Sequence, residues 1–198
     1  MRILGSGIDN ATHLALGWRS VALEMDPLLA AQRLPRVADA AMRNAVIAAL
    51  AAGKRPTLSA LVGDALVRFE RAVQLKTPDG IRPALLFAQR DRILRGLRGF
   101  LELRVAARLF GVRSRDLIAV GSAAKPFDAI VRGKDGRFHA VVLRAIPRDG
   151  RRLDLFRRIR VAARNCKAAV IESIVVCDLD GGRSRRLRVE GGTLGRAA

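Results

Sequence analysis

The spacing of apolar residues changes once along this chain, at Gly111, and that change limits the folds open to it. Before Gly111 the apolar positions recur with a helical period. In "TLSALVGDALVRFERAVQLK", Leu58, Leu61, Val62, Ala65, Leu66, Phe69, Ala72 and Val73 form one stripe at i, i+3, i+4 and i+7 spacing. Thr57 or Ser59 is positioned to cap that helix. The preceding segment, "DPLLAAQRLPRVADAAMRNAVIAALAAG", is rich in Ala and Leu, with Pro35 predicted to restart a helix and Gly53 to stop it. A third helix is predicted over residues 84–111, with Ile93, Leu94, Leu97, Leu101, Val105 and Leu109 at helical spacing. Gly96 and Gly99 weaken it and point to close packing.

After Gly111 the apolar residues come in short runs. "DLIAVGS", "PFDAIVRG" and "RFHAVVLRA" read as strands, the last two joined through a turn at "GKDG". "RRLDLFRRIRVAARN" reads as a helix that turns Leu153, Phe156, Ile159 and either Val161 or Ala163 inward. "IESIVVCDL" is a buried strand and "RRLRVE" an edge strand. The order is helix, three strands, helix, two strands. It implies an α/β (mixed α+β) fold in which an N-terminal helical region precedes a mixed sheet covered by helices. The turn-rich break "TPDGIRP" suggests a boundary between a helical region, 1–80, and an α/β domain, 81–190, with a frayed tail over 191–198.

Charge narrows the function classes. The net charge is +19, from 37 Lys and Arg against 18 Asp and Glu. A field of that sign gathers polyanions. The bases crowd into the second half, where the sheet is expected. With no long apolar run and no secretory leader pattern, a cytoplasmic protein without membrane contact is expected. Cys166 and Cys177 lack the spacing of a disulfide framework or a zinc site, and His13 and His139 lack a ligand partner. Cys177 sits in an apolar run and reads as a buried thiol.

The strand order and a few residues resemble the PD-(D/E)XK nuclease superfamily, whose core is αβββαβ. The resemblance covers roughly Arg82 to Val189. Glu102, in "FLELRVA", resembles the helix glutamate of that family. "PFD" (Pro126, Phe127, Asp128) resembles its Pro-Asp element with one residue inserted. "VLR" (Val142, Leu143, Arg144) occupies the Glu-x-Lys slot. The resemblance implies a restriction endonuclease-like core in which Asp128, Glu102 and Arg144 mark a catalytic site and Asp128 is the remaining metal ligand. That chemistry needs paired carboxylates to hold a hard divalent cation, which activates water. Val142 cannot bind a metal, and Arg144, with its very high pKa, cannot serve as a base. The site is therefore expected to be degenerate, with no cofactor; Mg²⁺ enters only if the protein is an active nuclease. Asp154 could substitute by reaching back from the next helix. Read without the resemblance, Asp128 is a strand-end acid paired with Arg132 or Arg144. Glu102 is a partner of Arg98, and Asp154 a helix-start acid that faces water or pairs with Arg157 or Arg158.

If catalysis is absent, phosphate contacts still require only well-placed cations. Arg148, Arg151, Arg152, Arg157, Arg158, Arg160 and Arg164 are the candidate nucleic-acid ligands, with Arg157, Arg160 and Arg164 on one helical stripe. No Tyr and a single Trp argue against base stacking. The expectation is a duplex DNA-binding protein with a nuclease-like pseudoenzyme domain, in repair, recombination or defence. The alternatives are an active divalent-metal endonuclease and a structural subunit that binds a protein partner, or itself as a homodimer, through its N-terminal helices.

Overall fold

The computed structural model describes residues 27–76, 83–144, 151–166 and 170–189. The chain builds helices α1 (Pro27–Ala51), α2 (Leu58–Lys76), α3 (Pro83–Glu102) and α4 (Arg104–Phe110), and then strands β1 (Leu117–Val120), β2 (Ala129–Arg132) and β3 (Phe138–Arg144). Helix α5 (Arg151–Arg164) crosses to β4 (Ile171–Asp178), and β5 (Arg183–Arg188) follows. The five strands lie in sequence order. β1, β2 and β3 are antiparallel neighbours, β4 runs parallel to β3, and β5 is antiparallel to β4. The class is α+β with a mixed sheet, as the period change at Gly111 predicts.

Alternation along the strands divides the core into two layers. Ala129, Val131, Val141, Leu143 and Cys177 face the N-terminal helices, where they join Met42, Val46, Phe69, Leu97 and Phe100. Ile130, Ala140, Val142, Ile174, Val176 and Leu187 face α5 and pack on Phe156, Ile159 and Ala163. The predicted boundary therefore does not divide the packing. It falls at residues 77–82, outside the described residues, and the first core layer runs across it from α1 and α2 to the sheet. The N-terminal helices are apolar on one stripe because the sheet covers that stripe.

Two predicted helices differ in detail. Pro35 lies inside one continuous helix rather than restarting it. The long helix over 84–111 breaks at Leu103, whose extended backbone (φ −67°, ψ 135°) separates α3 from α4. The caps behave as their chemistry requires. The Ala60 N–H donates to Thr57 Oγ1 at 3.2 Å. Gly53 follows α1 with φ +66°, a conformation that glycine adopts without strain.

Gly96 and Gly99 do mark close packing. α3 lies against the turn between β4 and β5. A methyl group on Gly96 would stand 2.3 Å from the Leu179 carbonyl oxygen and 2.9 Å from Met42 Sδ, and one on Gly99 would stand 3.1 Å from Gly182 Cα. Arg92 secures the same corner. It donates to Asp180 Oδ1 at 2.6 Å, Asp39 Oδ1 at 2.7 Å and the Pro35 carbonyl at 3.1 Å, joining α3 to α1 and to the turn. Burial works against the Arg92 charge, yet its bonds to Asp180 and Asp39 outweigh that and hold it more firmly protonated. Burial also raises the Asp39 carboxyl above its usual range, against the pull of Arg92.

Gly96→Ala should therefore destabilise the protein by about 1–3 kcal/mol through overpacking. Gly63→Ala, in α2 with nothing within 4 Å of the added methyl, should stabilise it by roughly 1 kcal/mol. Urea denaturation of both variants checks this. Equal gains would show that the β4–β5 turn is free to move away from α3.

Candidate nucleic-acid interface

Asp128 precedes β2 at the point where that strand leaves β3. The Asp128 N–H donates to the Val141 carbonyl at 2.9 Å, and its own carbonyl accepts from the Gly121 N–H at 2.8 Å. The ladder pairs Ala129 with Val141 and goes no further. Leu143, fully buried on the central strand, thus has an N–H aimed toward β2 with no backbone carbonyl to receive it. Asp128 Oδ2 accepts that proton at 2.7 Å. Its other oxygen, Oδ1, receives Arg43 Nε and Nη2 from α1. The residue is 1 % exposed.

The ion-pair reading of Asp128 holds in kind, but its partner is neither Arg132 nor Arg144. Arg43 lies 85 residues away in sequence, and no local spacing could have named it. The carboxylate also faces the layer of N-terminal helices, whereas Val142 and Arg144 line the α5 side of the sheet. Glu102 ends α3, exposed and without an ion pair to Arg98 or to any other described residue. The positions matched to the nuclease signature therefore do not converge. Among the described residues no second carboxylate is bonded beside Asp128, and the Arg43 guanidinium sits where a cation would have to bind. Among the described residues no group of three His, Cys, Asp or Glu side chains is gathered for a metal. The donor set does not fit the divalent ion that the resemblance implies.

Two other constellations are structural. Ser173 Oγ lies 3.0 Å from His139 Nδ1, and Asp135 Oδ1 lies 3.8 Å from His139 Nε2. Sequence spacing gave no hint of this Ser–His–Asp set. Ser173 is 2 % exposed, and its hydroxyl also accepts from Arg186 Nε at 3.0 Å. An acyl group has no room to form there. Cys177 is buried, and burial pushes its thiol up to about 12, with the Asp128 charge adding to the effect. It stays protonated and unreactive at neutral pH.

The exposed chemistry lies on α5 and β5. Arg157, Arg158, Arg160 and Arg164 are all exposed on α5, opposite the buried Phe156, Ile159 and Ala163. Arg148 falls outside the described residues, and only the backbone of Arg151 and Arg152 is described, in the first turn of α5. The sequence reading placed an edge strand at β5 but left its arginines out of the surface. Arg183 and Arg185 share the α5-facing side of that strand with Leu187. The Arg185 guanidinium sits 5.3 Å from the centre of the Phe156 ring, so it continues the α5 surface. The alternation in "RSRRLR" was the available signal.

Neutralisation is uneven. In the N-terminal helices Arg43, Arg68, Arg90, Arg92 and Arg95 each pair with an acid. No ion pair among the described residues uses a cation of α5 or β5. A groove of about 540 Å³ flanks α5 on the side away from β5. Phe127, Val142 and Ile159 form part of its lining, with Arg144, Asp154 and Arg158 as its charged members. Arg144 and Asp154 thus line one groove, beside Val142 and not beside Asp128. No family model, curated protein or solved structure matches the chain.

Asp128→Ala should cost about 2–4 kcal/mol, since it orphans the buried Leu143 N–H and leaves Arg43 without its counterion. Chemical denaturation reads the loss. A variant as stable as the parent would mean that the carboxylate is not needed to close the sheet.

Proposed function

We propose that this protein binds double-stranded DNA through the arginine face of α5 and β5 and does not cut it. One observation carries the reading: Arg157, Arg158, Arg160 and Arg164 of α5 and the arginines of β5 have no acidic partner among the described residues, while five arginines of the helical half do. An unneutralised row of guanidinium groups attracts phosphate and gains from counterion release. Guanidinium also matches phosphate geometry in bidentate contacts. The α, β, β, β, α, β order agrees with the nuclease resemblance at the level of fold. The position of Asp128 argues against the catalytic half of that resemblance, because both its oxygens are occupied and it faces the wrong side of the sheet.

A labelled short duplex titrated at several salt concentrations tests this. With five to seven phosphate contacts the slope of log K against log salt should be roughly −5 to −6. Arg157→Ala, Arg160→Ala and Arg164→Ala together should flatten it by about 3, with the thermal midpoint little changed. Supercoiled plasmid should stay intact with Mg²⁺ or Mn²⁺. Absence of binding at low salt would contradict the proposal. So would plasmid cleavage that Asp128→Asn abolishes.

A further inference from the structure

The flanks of α5 carry cations in an arrangement that points to one groove of the duplex. Phe156, Ile159 and Ala163 fix the line along which α5 meets the sheet. At about 3.6 residues per turn, Arg160 and Arg164 leave that line on one flank, toward β5. Arg185, resting on Phe156, extends this flank. Leu155, Arg158 and Ala162 leave on the other flank, where the 540 Å³ groove separates the helix from Phe127 and the end of β3. Arg144 stands across that groove. Asp154 and Val161 form the crown, with Arg157 and Arg158 on its shoulders. Val161 is 48 % exposed, an aliphatic side chain held out to solvent among charges.

We propose that α5 enters the major groove of duplex DNA, with the two phosphate backbones held on its opposite flanks. This deepens the DNA-binding reading and rests on it. A helix with its side chains is about 10–12 Å across, and the major groove of B-form DNA is about 12 Å wide. One backbone lies along Arg160, Arg164 and Arg185. The other enters the groove beside α5, where Arg144 and Arg158 reach it from either side. The crown then faces base edges. Val161 suits the thymine methyl and Asp154 can accept from the cytosine amino group, while Arg157 joins Arg160 and Arg164 on their backbone. This gives Asp154 a role that a purely phosphate-binding surface would not, since its carboxylate repels a backbone. The major groove of A-form RNA is too deep and narrow to admit the helix, so the surface selects DNA duplex over RNA duplex.

The test uses the full chain and short duplexes of one sequence. One carries plain cytosine and another carries bulky glucosylated 5-hydroxymethylcytosine, which fills the major groove. Netropsin blocks the minor groove of the plain duplex. Glucosylation should weaken binding at least about tenfold, and Val161→Glu should do the same, as losses of base-edge contact do. Netropsin should leave affinity within about twofold, because the minor groove is not the surface read. Val161 is exposed, so Val161→Glu keeps its fold, and an unchanged thermal midpoint verifies this. Equal binding of the plain and glucosylated duplexes overturns the proposal while the DNA-binding reading stands. Wild-type affinity in Val161→Glu also overturns it. Failure to bind plain duplex at low salt refutes the DNA-binding reading itself.

Discussion

The contact between Asp128 and the Leu143 N–H is the constraint on which the rest of the fold turns. β2 leaves β3 at Asp128, and the central strand would otherwise carry a buried donor with no acceptor. The carboxylate replaces the missing ladder carbonyl, and Arg43 supplies the charge that makes a buried anion tolerable. One side chain thereby closes the sheet and fastens α1 over it. The same contact bears on the chemistry around Asp128, because the Arg43 guanidinium on one oxygen opposes the approach of a divalent cation.

Much of the architecture was legible. The apolar patterns before and after Gly111 located every strand and every described helix but α4 to within a few residues. Glycine spacing in α3 foretold its approach to the β4–β5 turn. The misses share a physical origin. Pro35 is accommodated inside α1, and Leu103 breaks a sequence whose apolar period continues through it. Local pattern does not record either outcome, because each is settled by packing against distant segments.

The site was less legible than the fold. Spacing assigned Asp128 a partner from its own hairpin, since neighbours are all it can offer. The partner that folding supplies comes from the first described helix. Strand alternation puts Val142 and Arg144 on one face, but which face Asp128 takes depends on where β2 leaves the ladder. The arginine stripe of α5 was visible from its helical period. Its extension through Arg185 required the knowledge that β5 runs beside α5 and that Phe156 lies between them. The uneven neutralisation of charge could only emerge once the acids of α1, α2, α3 and the β4–β5 turn had found their partners.

The most direct measurement is amide hydrogen exchange at Leu143, followed in the parent protein and in Asp128→Ala. The expected result is exchange limited by global unfolding in the parent. In the variant, protection at Leu143 should fall further than at Val141 and Ala140 on the same strand. A Leu143 amide that exchanges freely in the parent, or that loses no more protection than its neighbours, would contradict the account.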